Sequence, residues 1–354
     1  MTIDRKFEHL MLCAAEEVES GKTGLEDVSF VHNAIPEIAK SDIDLGATFL
    51  QKGFASPLFI AGMTGGHKEA TAVNAALSEA AETCGIGIGV GSQRAAVEHP
   101  ELIESYSIVR ERAPSAFVVA NIGAIQAKEY NLETIERLID MVDADALAIH
   151  LNFLQEAVQR EGDTNAERCL DAIKSLSKSL RIPIIAKETG AGISQEAAVR
   201  LQNAGASAID VGGAGGTSWA RVETYRARTD RLLKRLGGLY SNWGIPTAMS
   251  IVESRVLPVI GTGGIRNGLH IAKCVALGAS LCGVGLPLLR LAFEGPESVI
   301  NEIAAINEEL RVAMFLTGCR TLAELKTRPL IITGKTKEML QQRGFNVADL
   351  QVRR

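Results

Sequence analysis

The stretch Ala144-Asp145-Ala146-Leu147-Ala148-Ile149-His150-Leu151-Asn152-Phe153-Leu154-Gln155-Glu156 decides the architecture of this chain. Its first half is a short, nearly continuous apolar run, as expected of a strand buried in a parallel sheet. His150 and Asn152 follow at a spacing of two, so on a continuing strand both project to the same side. Gln155 and Glu156 then fall on the loop where parallel-sheet proteins keep their chemistry. Polar groups projecting together from a strand end suit an active site. The same letters also fit a capped helix start beside a satisfied core histidine.

Seven more runs of this kind flank it. With the first they occupy 57–62, 86–90, 116–120, 146–149, 183–187, 208–211, 257–261 and 281–285, separated by helical patterns such as 70–84 and 195–204. Apolar strands alternating with helices imply a parallel sheet covered on both faces, and eight repeats favour a closed (β/α)8 TIM barrel over an open doubly wound sheet. The chain thus divides into an N-terminal extension (1–55), a barrel (56–290) and extra C-terminal helices (291–354). Residues 219–238, rich in arginine and long for a strand-to-helix connection, fit either a lid or a solvated helical insertion.

Composition agrees with one large α/β domain: 354 residues are 46% hydrophobic. A net charge of −5 gives no general attraction to nucleic acid. The six cysteines are far apart and form no metal-ligand spacing, so they read as reduced thiols. The first residues lack a signal-peptide core and no apolar run is long enough to span a bilayer. A soluble, cytoplasmic protein with no nucleic-acid or membrane partner is expected.

Each strand end carries a polar or glycine-rich signature. Met63-Thr64-Gly65-Gly66 lets backbone N–H groups approach a flat or anionic ligand, or is a plain tight turn. Gly91-Ser92-Gln93-Arg94 offers an arginine for a phosphate or for a surface ion pair. Asn121 can address the edge of a heterocyclic ring. Lys187, after four apolar residues, is costly to bury unpaired; it supplies positive charge to an anionic cofactor or snorkels beside Glu188. Glycine-rich turns at 212–218, 261–268 and 285, the second opening onto a helical pattern, match the usual phosphate site of this barrel class. At the N-terminus, Arg5-Lys6-Phe7-Glu8-His9 is either an exposed tail or a flap that orders over an anionic substrate.

Together these residues resemble the type 2 isopentenyl diphosphate isomerase family, whose flavin-dependent members interconvert isopentenyl and dimethylallyl diphosphate. The resemblance rests on Arg5-Lys6-x-x-His9, Met63 to Gly66, Gly91 to Arg94, Asn121, the His150 to Glu156 run, Lys187, Thr217 and Gly263-Gly264-Ile265-Arg266. It implies FMN across the barrel mouth, met by Met63, Thr64, Gly65, Ser92, Asn121, Lys187 and Thr217. The FMN phosphate would sit on Gly264, Ile265, Arg266, Gly285 and Leu286. The substrate diphosphate would meet Arg5, Lys6, His9, Ser92, Gln93, Arg94 and Gln155, with His150, Asn152 and Gln155 as the catalytic group and Glu156 holding Mg2+. It further implies NADPH as the reductant and a homotetramer or homo-octamer.

An unactivated alkene is a very weak base, so its isomerisation needs a well-placed acid in a dry pocket. His150 would be drawn to the diphosphate and Gln155 is not an acid, whereas reduced flavin, on the family's mechanism, works as an acid/base without net redox turnover. The rivals are an FMN-dependent oxidoreductase on the same barrel and a non-catalytic flavin binder. No histidine sits in the late glycine-rich turns, where hydroxy acid oxidases keep theirs. No cysteine lies between Cys169 and Cys274 to serve as the nucleophile of a nucleotide dehydrogenase.

Overall fold

The computed structural model describes residues 2–351. Eight parallel strands form one sheet: β1 (Leu58–Ile60), β2 (Gly87–Gly89), β3 (Val118–Gly123), β4 (Ala146–Leu151), β5 (Ile184–Glu188), β6 (Ala208–Asp210), β7 (Val259–Ile260) and β8 (Cys282–Val284). Strand β8 pairs with β1, and a bridge between Ile260 and Leu281 joins β7 to β8, so the sheet closes on itself. The expected barrel is therefore present, with every strand near its expected run. Strands β3 and β4 run further than their apolar runs suggest, so Asn121 and His150 lie within strands.

The helices that matter for the site are α1 (Thr2–Ala15), α2 (Lys68–Cys84), α3 (Phe153–Val158), α4 (Trp219–Arg226), α5 (Arg231–Leu239), α6 (Gly268–Leu277), α7 (Leu286–Ala292) and α8 (Pro296–Thr317). Their starts follow local chemistry. Ser218 caps α4, Asp230 caps α5 and Asn267 caps α6, each side-chain oxygen accepting from a free backbone N–H of the first turn. Helix α2 stops at Gly85, whose φ of 62° is the left-handed conformation a glycine adopts without strain.

Two regions with alternative readings resolve here. Of the lid and the helical insertion, residues 219–238 form the latter, as helices α4 and α5, with α4 packed on α1 and α3. The N-terminal cluster is on a helix rather than a tail. Past residue 290, α8 packs against both α2 and α6. The extension contributes a strand, Val28–Phe30, paired antiparallel with Leu330–Ile332, and a hairpin whose Phe49 and Phe54 rings stand edge-on to Phe117, 6.3 and 5.6 Å away. All six cysteines are free. No helix among the described residues is long and apolar enough to cross a membrane.

The register places the chemistry. In neighbouring strands Gly123 stands beside His150, His150 beside Lys187, and Lys187 beside Asp210. Parallel strands in this register carry a row of polar side chains at one height near their C-terminal ends. Below that row the interior is apolar, with Phe59, Val119, Ala148, Ile185 and Ile260 filling the barrel.

Candidate active site

A cavity of about 220 Å3 lies over the C-terminal ends of the strands. It is roofed by α1, whose Lys6, His9, Leu10 and Cys13 follow the i, i+3, i+4, i+7 spacing of one helical face. The wall opposite is built from the strand-end turns. Of the residues anticipated from sequence, the cavity gathers Arg5, Lys6, His9, Met63, Thr64, Ser92, Arg94, Asn121, His150, Asn152, Gln155, Glu156, Lys187, Thr217, Gly264, Arg266, Gly285 and Leu286. Residues 5 and 285 thus converge although nearly the whole barrel separates them in sequence.

Three anticipated residues do not line it. Gln93 is fully buried: its Nε2 donates to the Leu138 carbonyl (2.8 Å) and its Oε1 accepts from the Asn121 N–H (2.9 Å), so the side chain joins β2 to β3 instead of facing substrate. Gly65, at φ 143°, lies against the Tyr106 ring, where any Cβ would collide with it. Ile265 points its side chain into the core. Replacing Gln93 by leucine leaves two buried backbone groups without partners. Such groups cost about 1–3 kcal/mol each, so urea unfolding should show a loss of at least about 2 kcal/mol.

The anion end is strongly cationic. Arg5, Lys6 and Arg94 converge, and Lys6 Nζ donates to the Ser92 carbonyl (3.3 Å), which Tyr106 also holds through its hydroxyl (2.7 Å). Burial, then the charges of Arg5 and Arg94, lower the Lys6 pKa to about 8. Glu98 neutralises part of Arg94 (2.6 Å), and His9 is anchored to Glu223 (2.8 Å), which also holds Arg226 (2.7 Å). Crowded, partly desolvated cations of this kind are stabilised when a polyanion enters.

On the other side, Glu156 is fixed by three donors. Its Oε1 accepts from Asn152 Nδ2 (2.9 Å), and its Oε2 from Gln159 Nε2 (2.5 Å) and the Asp163 N–H (2.8 Å). Sequence placed Gln155 and Glu156 on a loop; they occupy the first turns of α3, which starts directly after Asn152. A carboxylate beside an anion pocket suits Mg2+, which can complete its shell with phosphate oxygens and water. No group of three or more His, Cys, Asp or Glu residues among the described residues forms an all-protein metal cage.

The middle of the cavity is set by the polar row. Asn121 donates through Nδ2 to the Val90 carbonyl (2.9 Å), which turns its Oδ1 toward His150 Nδ1 (2.8 Å). That arrangement makes Nδ1 a donor to Asn121. Burial, then the charges of Lys6 and Lys187, hold the His150 pKa down at about 3, so the ring is neutral at working pH. Lys187 is paired with buried Asp210 (2.7 Å), a partner the sequence reading missed because only the strand register brings them together. For His150 the folded-state pKa lies below the unfolded value of 6.5, so its contribution to stability is complete above pH 6.5 and falls as pH drops toward 3. That loss is about 1.4 kcal/mol per pH unit. Comparing His150→Gln with the parent by urea unfolding at pH 6 and pH 5 should show a shallower loss in the variant.

The glycine turns form a close-packed cradle. A Cβ on Gly216 would strike the backbone of Gly264, one on Gly264 would strike Gly215 and Thr23, and one on Gly213 would strike Thr247. Only glycine lets these backbones approach, and Gly264 and Arg266 then face the cavity together. Arg266 is partly desolvated, which lowers its pKa to about 10, and it pairs with Glu19. Bare backbone amides beside an arginine fit a phosphomonoester, and the adjoining space walled by Met63, Leu286 and Leu289 fits a flat ring system.

With that geometry established, comparisons with known proteins are decisive. The profile of the FMN-dependent dehydrogenase family matches residues 144–332. The isopentenyl-diphosphate delta-isomerase of Methanosarcina mazei is 54% identical over 356 aligned residues, covering 99% of this chain and 98% of that protein. The chain belongs to the isopentenyl-diphosphate delta-isomerase family. The enzyme of the same name from Archaeoglobus fulgidus is 52% identical, with 97% of this chain and 99% of that protein covered. Among solved structures, a lactate oxidase of Pediococcus acidilactici (TM-score 0.65, 17% identity, 92% of this chain and 87% of that one) and a mandelate oxidase (TM-score 0.63, 18% identity, 92% and 95%) share the barrel. At that identity they show the fold alone.

The site differs from what an oxidase reading needs. His270, the histidine next along the chain from the late glycine-rich turn, sits on α6 and does not line the cavity. Several lining residues escaped the sequence reading, notably Leu10, Cys13, Gln126, Gln159, Trp219 and Leu289. The helical spacing of Leu10 and Cys13 with Lys6 and His9 was the available signal for two of them.

Proposed function

We propose that this protein isomerises isopentenyl diphosphate to dimethylallyl diphosphate, with reduced FMN as the acid/base and Mg2+ on Glu156 securing the diphosphate. The observation that carries the proposal is one cavity holding a cationic anion pocket, a carboxylate fixed by three donors and a glycine phosphate cradle. His150, neutral with its Nδ1–H committed to Asn121, is a poor proton donor to carbon. The reaction adds one proton to the terminal methylene carbon and removes one from the carbon next to the CH2–O group, with no change in oxidation state.

Reduced FMN, when bound, would supply a weakly acidic ring proton and an electron-rich surface beside the developing tertiary cation. Residues of this chain do the remainder. Gly264, Arg266, Gly285 and Leu286 would hold the FMN phosphate, while Met63, Thr64, Ser92, Asn121, Lys187 and Thr217 would border the ring. Arg5, Lys6, His9, Ser92 and Arg94 would grip the diphosphate, a remote binding energy that holds the small hydrocarbon in reacting geometry. Gln155 and Asn152 flank that hydrocarbon, and the neutral His150 keeps the centre of the site free of a competing charge. Helix α1 with Trp219 excludes water from above. NADPH is the proposed source of the flavin's electrons, and a homotetramer or homo-octamer the proposed assembly. The exposed Leu232, Leu239 and Trp243 offer apolar surface for subunit contact.

Running the reaction in deuterium oxide tests the acid/base character. Dimethylallyl diphosphate carrying deuterium in a methyl group, formed over many turnovers per flavin reduced, supports the proposal. Product tied one-for-one to reductant consumed would favour the oxidoreductase instead.

A further inference from the structure

Gln159 lies just past the end of α3, is almost fully buried at 6% exposure, and lines the cavity beside Glu156. Its Nε2 and the Asp163 N–H both donate to Glu156 Oε2, at 2.5 and 2.8 Å. A carboxylate of this kind only accepts, so the nitrogen of the Gln159 amide must face Glu156 and the oxygen must face away. That oxygen, Oε1, is buried with no hydrogen-bond partner in the protein. Folds keep a buried unpaired carbonyl where something else supplies the donor. Glu156 Oε1, meanwhile, accepts from Asn152 Nδ2 and retains a lone pair.

The turn that creates this arrangement is specific. Any Cβ on Gly162 would collide with the Glu156 carbonyl oxygen and touch the Gln159 side chain, so glycine there folds residues 159–163 back over α3 and delivers the Asp163 N–H. One oxygen of Glu156 is thus locked from behind by two donors, and the other is presented forward.

We propose that Gln159 is a positioning residue of a divalent-cation site centred on Glu156. Its Nε2 fixes Oε2 so that Oε1 faces the cation, and its orphan Oε1 accepts a hydrogen bond from a water molecule that the cation carries. The inference rests on the assignment of the cation to Glu156. Mg2+ keeps several of its waters when bound, and each is a strong donor in need of an acceptor. Residues that orient a ligand from behind typically contribute ten- to a hundredfold in metal affinity.

The test is a titration of Mn2+ alone into the FMN-loaded protein, followed by electron paramagnetic resonance and water-proton relaxation, for the parent, Glu156→Gln, Gln159→Met and Gln159→Glu. Flavin absorbance confirms that each variant is folded and loaded. Gln159→Met should raise the Mn2+ dissociation constant by about tenfold or more with FMN content unchanged. Gln159→Glu, whose new carboxyl must share a proton with Glu156, should make Mn2+ binding tighten with rising pH more steeply than in the parent. Parent-like affinity and pH dependence in both Gln159 variants, with binding lost in Glu156→Gln, would overturn the role of Gln159 while sparing the cation site. Unchanged binding in Glu156→Gln would overturn both.

Discussion

Lys187→Met will lose both stability and turnover, and the two losses will separate in a double variant. Lys187 and Asp210 are a buried pair at 2.7 Å, placed side by side by the pairing of β5 with β6. Removing the lysine leaves a carboxylate in the barrel interior without its counter-charge, a change that costs about 3–5 kcal/mol when buried pairs are broken from one side. Adding Asp210→Asn removes the stranded charge and should restore most of that stability. Turnover should stay low in both, by at least about a hundredfold (~2.7 kcal/mol of barrel-mouth electrostatics), because the one cation beside His150 in the polar row is gone. Thermal melting together with single-turnover kinetics of the flavin-loaded proteins checks this. A double variant that regains activity as well as stability would show Lys187 to be structural.

Glu156→Gln should give the second large effect, and of a different kind. The substitution keeps the volume and a hydrogen-bonding head but removes the charge proposed to hold a divalent cation, and the amide must present a donor toward one of Asn152, Gln159 or the Asp163 N–H. The expected result is loss of Mg2+ dependence with KM for isopentenyl diphosphate raised about a hundredfold or more. Gln155→Ala, one residue away on the same turn, should instead lower kcat with KM little changed, since the proposal sets it beside the hydrocarbon rather than the metal. Initial rates across a Mg2+ series distinguish the two. A Glu156→Gln protein that responds to Mg2+ as the parent does would remove the metal from that position.

The barrel was legible because its signals are local. Each strand is a short apolar run and each strand end a glycine or polar cluster, so counting runs gave the fold and collecting their ends gave the rim. What escaped depends on contacts between distant segments. Gln93 sits among residues that do line the cavity, yet the turn at the end of β2 rotates it inward to satisfy Leu138 and Asn121, a direction that spacing cannot reveal. Asp210 stood in an anticipated strand but gained meaning only from its register with Lys187. The N-terminal cluster was recognised for its charges, while its i, i+3, i+4, i+7 face, with Leu10 and Cys13, carried the further information that it is a helix closing the site. Residues 219–238 could be narrowed only to a lid or a helical insertion, because what fixes α4 in place is long-range pairing, Arg226 with Glu161 and with Glu8 on α1.

The most direct test is to incubate the protein anaerobically with isopentenyl diphosphate, FMN and Mg2+, once with flavin left oxidised and once with flavin reduced beforehand, and to quantify dimethylallyl diphosphate. Conversion with reduced flavin only, and with no net reductant consumed per product, is the predicted result. No conversion in either flavin state, despite bound FMN, would contradict the account.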